Sequence, residues 1–252
     1  MGYLDNNGVA YLYSKIKEYI AVQKPYSIAV GNGEPYSVWK GTYAEYCAIT
    51  PDESTIYIIT TPPYDAEIEY LQSTGTQWID TNIVLTKNYA ITIDCAVISG
   101  SSFPTVLGAS EIDLWSVPIA FNNSGGPYTQ VGGARSFATL YSTNKFGSKI
   151  VSYTCSGNGS EQYISDREKS VYNSISGDLS TLSMYMFARH RYDGVGNYAT
   201  AKIGKVSITI GGILRRDYIP VRVGNVGYMY DKVSGKLFGN AGTGSFVLGP
   251  DK

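Results

Sequence analysis

The chain has 252 residues and a formal net charge of −1, with 43% hydrophobic but only 16% charged residues. That length suffices for one large β domain or two smaller ones, and the apolar content is too high for a disordered chain. The near-zero charge and the lack of a long basic run exclude the electrostatic pattern of nucleic-acid-binding proteins and of polybasic membrane patches. No apolar run approaches the roughly 18 residues of a transmembrane helix, and no signal-peptide pattern opens the chain.

Three widely spaced cysteines, Cys47, Cys95 and Cys155, form no CxxC pair. An odd number without such a pair argues against a disulfide framework and against a structural zinc site. We therefore expect buried free thiols, as in a protein made in a reducing cytosol.

Residues 5–20 carry the clearest helical pattern, because apolar side chains recur there at intervals of three or four. An isolated helix shorter than about 12–15 residues is marginal in water, so this one should dock on another surface. Residues 1–24 are therefore predicted to form an attachment helix, and its apolar stripe an assembly interface: Val9, Leu12, Ile16 and Ile20.

Residues 25–62 are predicted to form a small α+β module. Thr42 and Glu45 have the spacing of a capping box, which predicts a brief helix between two strands. The second strand is predicted at residues 55–60, which are rich in β-branched side chains. Pro62 and Pro63 end the module, since consecutive prolines impose an extended backbone.

From residue 63 to residue 252 the pattern is that of an all-β domain, with short alternating segments separated by turn residues. Gly211 and Gly212 are predicted to form a two-residue hairpin turn that needs positive φ angles. The predicted strands are 89–98, 103–109, 113–121, 129–131, 149–154, 182–189, 199–210 and 218–221.

This region resembles the laminin-G-like, concanavalin-A-like domains of gut bacteria and their phages. Residues 70–81, Tyr-Leu-Gln-Ser-Thr-Gly-Thr-Gln-Trp-Ile-Asp-Thr, are similar to the opening of those domains. Residues 186–189, 201–206 and 216–250 are similar to their later strands and ending. The resemblance implies a two-sheet antiparallel jelly-roll sandwich whose ends meet, and a lectin-like role rather than catalysis.

The first 65 residues resemble phage proteins instead. Residues 4–12 are similar to the start of phage tail or head-fibre proteins, and residues 39–46 with 54–59 to a small module of such proteins. The resemblance implies a virion protein that is assembled in the host bacterial cytoplasm. Its expected partners are other virion proteins and further copies of itself, with a trimer as the favoured homo-oligomer.

A search for catalytic residues finds only fragments of an active site. Alternation would place Glu111 and Asp113 on one face of a strand, as in β-glucanases, but Trp115 and Ser116 stand where a third carboxylate is needed. His190 is the only histidine, and no Gly-x-Ser-x-Gly elbow presents a nucleophile to it. The chain is therefore predicted to be non-enzymatic.

Aromatic side chains carry the stronger functional signal, because their rings stack on sugar faces while their polar tips form hydrogen bonds. Trp78 and Trp115 fall in strand-like runs and are expected in the core. The candidate ligand-binding residues are Tyr128, Arg135, Tyr141, His190, Tyr192 and Tyr198.

No cofactor is expected. Calcium is the one metal considered, since some laminin-G-like domains bind it, with Asp80, Asp94 and Asp193 as scattered candidates and no EF-hand loop. The sequence thus predicts a virion protein that attaches to a host glycan or receptor. The alternatives are a purely structural decoration or fibre protein, a bacterial surface adhesin, and a divergent glycan hydrolase.

Overall fold

The computed structural model describes residues 28–29, 35–51, 55–59, 61–100, 102–133, 137–140 and 146–252. The chain divides into two units, one ending at Pro63 and the other beginning at Tyr64. The predicted attachment helix, with Val9, Leu12, Ile16 and Ile20, lies outside the described residues. No helix in the described part of the chain is long and apolar enough to cross a lipid bilayer.

The first unit contains the predicted strand–helix–strand arrangement. Both halves of the capping box form, since Thr42 Oγ1 accepts from the Glu45 amide at 3.2 Å and a Glu45 oxygen accepts from the Thr42 amide at 2.7 Å. The two strands that flank the helix pair in parallel. The elements are β1 (Ile28–Ala29), β2 (Pro35–Gly41), α1 (Tyr43–Cys47) and β3 (Thr55–Ile59).

The second unit is a sandwich of two sheets, here called the smaller and the larger sheet. Strands of the smaller sheet are β6 (Ile79–Val84), β8 (Thr105–Glu111), β9 (Leu114–Phe121), β10 (Pro127–Gly132), β11 (Phe137–Thr139), β15 (Ser183–Met186), β16 (Arg189–Arg191) and β17 (Gly194–Gly196). Strands of the larger sheet are β4 (Ala66–Glu67), β5 (Leu71–Gln72), β7 (Asn88–Gly100), β12 (Val151–Asn158), β13 (Glu161–Ser165), β14 (Ser170–Ser174), β18 (Ala199–Ile210), β19 (Ile213–Val223), β20 (Val226–Asp231), β21 (Lys236–Phe238) and β22 (Val247–Leu248).

The smaller sheet runs in the order β11-β10-β9-β8-β15-β6, and the larger in the order β14-β13-β12-β7-β18-β19-β20-β21. Pairing is antiparallel in both, except that β16 pairs in parallel with β8. One core lies between the sheets and takes alternate side chains of the longer strands, among them Ile91 and Ile93 of β7, together with Met184 and Met186 of β15, all fully buried. The predicted two-sheet antiparallel sandwich is confirmed.

The two ends of the sandwich meet, as the sequence indicates. β22 pairs with β5, and the amide of Gly249 donates to the Tyr70 carbonyl at 2.9 Å. The amide of Glu69 donates to the Pro250 carbonyl at 2.9 Å. Residues 69–72 and the end of the chain therefore belong to one hydrogen-bonded layer, the larger sheet, whereas residues 79–81 enter the smaller sheet in β6.

Local predictions have mixed outcomes. The hairpin turn at Gly211 and Gly212 is confirmed, with φ angles of 58° and 78°. Cys95 and Cys155 are buried free thiols whose pKa burial raises, whereas Cys47 is exposed, contrary to expectation. Cys47 is exposed because a five-residue helix has little surface with which to bury its last side chain.

A buried glutamine joins the two sheets. Gln162 of β13 is fully buried, and its Oε1 accepts from the amide of Val131 in β10 at 2.9 Å. Its Nε2 donates to the Val131 carbonyl at 3.2 Å. The side chain thus supplies the donor and acceptor that a neighbouring strand would offer.

Replacing Gln162 with leucine should lower the free energy of unfolding by about 2–3 kcal/mol, because both backbone groups of Val131 lose a buried partner. Chemical denaturation measures the change. Glu161→Ala, at the exposed neighbouring position, is the control and should stay within about 0.5 kcal/mol of the parent. Equal unfolding midpoints for the two variants would contradict this role.

Candidate functional site

Three aromatic rings stack on the outer face of the smaller sheet. Tyr185 alternates along β15 with core residues Met184 and Met186, so its side chain points away from the core. Its ring lies 4.2 Å from that of Trp78 at 21°, and 4.0 Å from that of His190 at 8°. Trp78, Tyr185 and His190 are called the aromatic stack. Its end rings are half-buried and each has one face that the stack does not cover.

Trp78 is held by the glycine-rich segment near the end of the chain. The Trp78 carbonyl accepts from the amide of Ala241 at 2.8 Å, and its amide donates to Asn240 Oδ1 at 3.3 Å. A Cβ on Gly242 would overlap the Thr76 carbonyl oxygen and lie 2.8 Å from the Trp78 ring. Glycine is therefore required at position 242. Residues 76–78 and residues 240–242 together position the Trp78 ring.

His190 is oriented by a backbone hydrogen bond. Its Nδ1 lies 2.9 Å from the Ser183 carbonyl oxygen, which can only accept. Nδ1 therefore carries a proton, and in the neutral tautomer Nε2 is the acceptor. This arrangement makes the end of the aromatic stack able to accept a hydrogen bond from a hydroxyl group.

A buried arginine precedes His190 in β16. Arg189 is 4% exposed, donates to Thr105 Oγ1 at 3.1 Å and to the Tyr128 hydroxyl at 3.2 Å, and lies 4.9 Å above the Trp115 ring. Burial lowers the pKa of the guanidinium, which still remains charged near neutral pH. Trp115 Nε1 is buried and has no hydrogen-bond partner among the described residues.

Both tryptophans differ from the prediction that they fill the core. Trp115 packs with Val117, Ala120 and Tyr128 in a small cluster separate from the main core, and Trp78 belongs to the aromatic stack. The reason is that strand alternation identifies two faces without saying which of them meets the other sheet. Tyr128, a predicted ligand-binding residue, lies in β10 and is only 6% exposed.

The turn between β16 and β17 carries the most exposed of the predicted ligand contacts that the structure describes. Tyr192 is 60% exposed at this tip, two residues from His190. Beside it, Arg191 and Asp193 form an ion pair at 3.0 Å. Tyr198 is half-buried on the connection to β18, and Arg135 and Tyr141 lie outside the described residues. His190 and Tyr192 therefore lie in one hairpin, and Tyr128 is linked to that hairpin through its hydrogen bond with Arg189.

Glu111 and Asp113 do not share a strand face, contrary to the β-glucanase-like interpretation. β8 ends at Glu111, and Asp113 lies in the turn to β9 with a φ of 59°. The Glu111 carboxylate accepts from the Thr181 amide at 2.6 Å, and this bond lowers its pKa. Glu111 is therefore held as an ionised acceptor.

No group of three or more His, Cys, Asp or Glu side chains suited to a metal ion occurs within the ranges that the structure describes. The calcium candidates lie apart, with Asp80 on β6, Asp94 on β7 of the other sheet, and Asp193 in its ion pair.

No protein-family model and no curated protein sequence matches the chain. Among solved structures, a "putative carbohydrate binding protein" from Bacteroides ovatus aligns with a TM-score of 0.47 and 8% identity, over 79% of this chain and 64% of its own. The enzymatically active domain of tailspike protein 2 from bacteriophage CBA120 aligns with a TM-score of 0.35 and 14% identity, over 60% and 27%. The chain thus spans less than two thirds of either neighbour, and neither alignment assigns it to a family.

Proposed function

We propose that this chain is a non-enzymatic phage virion protein whose sandwich attaches to glycans through the outer face of the smaller sheet. The observation that carries the proposal is the aromatic stack, which ends in His190, with exposed Tyr192 two residues further along the chain. Rings that combine an apolar face with a polar tip suit sugars, which combine C–H faces with hydroxyl groups.

The charges of this surface favour a ligand without a strong net charge. Arg191 is paired with Asp193, and Glu111 is occupied by hydrogen bonds from the 180–181 turn. Arg189 lies beneath the surface against Trp115 and Tyr128. A ligand would therefore meet rings, hydrogen-bonding groups and the half-buried carboxylate of Asp80, the cross-strand partner of Tyr185, so an anionic ligand would meet a like charge.

The virion assignment is supported by the resemblance of the first 65 residues to phage structural proteins. In a homo-oligomer, such as the trimer favoured above, each copy would present one sandwich. Weak sugar contacts then add through effective concentration, by factors of about 10² to 10⁴ in suitable geometries. Host-surface glycans are the proposed external partner, and other virion proteins the internal ones.

A purely structural decoration protein is the second candidate. It is favoured by one observation, that both faces of the Tyr185 ring are covered by neighbouring rings. In that case the stack would only stabilise the fold, and its end rings would have no external ligand.

A glycan array probed with the full chain separates the two candidates. We expect specific hits, and we expect His190→Ala and Tyr192→Ala each to weaken them by about tenfold, the effect of about 1.4 kcal/mol. Val226→Ala, an exposed apolar position in the larger sheet, is the matched control and should bind like the parent.

If neither substitution changes the strength of the hits, the proposed surface is excluded as the ligand site. An array without hits would favour the structural role. Incubation with the bound glycan should leave the number of reducing ends unchanged. An increase that Glu111→Gln abolishes would show hydrolysis and overturn the non-enzymatic assignment.

A further inference from the structure

A second group of aromatic rings, a pair of tyrosines, lies on the outer face of the larger sheet. Gln162 and Ile164 of β13 are fully buried, so Tyr163 between them points outward. Tyr172 of β14 is its direct cross-strand partner. The two ring centroids are 5.6 Å apart at an interplanar angle of 42°, and Tyr172 is 66% exposed. Tyr163 and Tyr172 are called the tyrosine pair.

The tyrosine pair borders a shallow depression that is shaped by neighbouring strands. Ser156 of β12 is the cross-strand partner of Tyr163, so one row across the sheet reads Ser156, Tyr163, Tyr172. The depression has a volume of about 190 Å³, and Asn158 and Glu161 also line it. Enclosed ligand pockets usually measure about 300–1,000 Å³, so this one suits a ligand that lies on the surface.

One polar group at this depression is held in place before any ligand arrives. Asn158 Oδ1 accepts from the amides of Ser160 at 3.1 Å and Glu161 at 2.8 Å. These bonds fix which end of the amide faces the turn, so Nδ2 is the end available as an outward donor. The ligand would thus find ring faces flanked by a fixed N–H donor and the Ser156 hydroxyl.

The charge of the lining selects among ligands. Glu161 is the only ionisable group apart from the tyrosine hydroxyls among the residues that line the depression, and it is exposed. An anionic sugar would meet a like charge and no cation, whereas a neutral sugar meets no such penalty. A ring separation of 5.6 Å also lets adjacent rings contact adjacent sugar units of an extended chain.

We propose that the tyrosine pair is a second glycan-binding site, specific for neutral hexose chains, on the face opposite the aromatic stack. It takes its ligand class from the proposed function but uses none of the same residues. One sandwich would then hold two oligosaccharides, one on each outer face, and could bridge two glycan strands.

Isothermal titration of the full chain tests this, with linear neutral oligosaccharides of glucose, galactose and mannose as the probes. We expect two equivalents of the best-binding oligosaccharide per chain. In the Tyr172→Ala variant, the affinity of the tyrosine pair should fall by at least about tenfold, so that one equivalent of oligosaccharide remains bound with the parent affinity. Tyr172→Phe keeps the ring and should retain both sites, and Ser170→Ala, on the same face of β14, is the matched control.

The outcomes separate this site from the first one. If the Tyr172→Ala variant binds as many equivalents as the Ser170→Ala variant, and only His190→Ala loses one, the second site is overturned and the first site is retained. If Tyr172→Ala loses a binding equivalent while His190→Ala and Tyr192→Ala lose none, the tyrosine pair is supported as a ligand site and the aromatic stack is overturned as one. A parent protein that binds none of these oligosaccharides overturns the tyrosine pair as a neutral-hexose site.

Discussion

Replacing Asp231 with alanine is expected to lower the free energy of unfolding by about 3–5 kcal/mol, the cost of removing a buried charged partner. Asp231 ends β20 and is fully buried. Its Oδ1 accepts from the amides of Asp217 at 2.9 Å and Val233 at 3.2 Å. Its Oδ2 accepts from the Ser234 amide at 3.2 Å and from the Ser234 hydroxyl at 2.6 Å. This carboxylate therefore closes the turn between β20 and β21.

The effect is large because one fully buried carboxylate accepts from three backbone N–H groups and one hydroxyl group. A backbone N–H group left without its acceptor costs about 1–3 kcal/mol where it is buried, and less at exposed Val233 and Ser234, where water can replace the carboxylate. Arg216, whose Nε lies 3.7 Å from Oδ2, would also lose its counter-charge. An asparagine side chain at this position would keep one acceptor oxygen but turn an NH₂ group toward N–H donors, so Asp231→Asn should fall between alanine and the parent.

Asp217→Ala provides a matched control for this substitution. Asp217 lies on the adjoining strand, and its carboxylate pairs with Lys232 at 2.8 Å in a partly exposed ion pair. Such surface pairs contribute about 0–1 kcal/mol. Urea unfolding of both variants measures the difference. Similar losses in Asp217→Ala and Asp231→Ala would show that the buried carboxylate does not hold this turn.

Tyr185→Ala should have the largest effect on ligand binding. Removing the middle ring opens a gap between Trp78 and His190, so both end rings lose the surface that holds them. We expect at least about a tenfold loss of glycan affinity and a stability loss of about 3 kcal/mol from the cavity. Binding is measured by titration with the strongest array hit at a temperature at which the variant is fully folded.

Tyr185→Phe is the control, since it keeps the ring and removes only the hydroxyl group. Burial raises the pKa of that hydroxyl, which is therefore neutral near pH 7 and adds no charge to the site. The phenylalanine variant should bind like the parent. Normal affinity in Tyr185→Ala would mean that the stack is not part of the ligand site.

Much of the architecture of the two units could be predicted because several local signals agree. Alternation in β7 and β18, the Gly211-Gly212 turn and the capping box at Thr42 each depend on neighbouring residues alone. β13 and β14 were not predicted, because each has only five residues and both are rich in serine and other polar side chains. β13 pairs with β12 and β14 pairs with β13 as consecutive hairpins, so their weak apolar pattern, rather than distance along the chain, explains why they escape prediction.

The candidate site was harder to predict than the fold. His190 and Tyr192 could be identified because they lie in a short polar segment with charged neighbours. Trp78 and Tyr185 could not, because a ring in a strand-like run is equally compatible with a core and with a surface position. In β13, Tyr163 shares one strand face with the polar residues Glu161 and Ser165, and this alternation predicts an outward-pointing ring. It is the sequence signal that identifies the tyrosine pair.

The most direct test of the central claim uses the indole N–H signals of the three tryptophans, which a ¹⁵N-correlated NMR spectrum of the full chain resolves. During titration with the strongest array hit, the Trp78 signal should shift. The Trp39 signal, from the first unit, should stay in place as the internal control. Bound glycan without any change at Trp78 would contradict a ligand site on the aromatic stack.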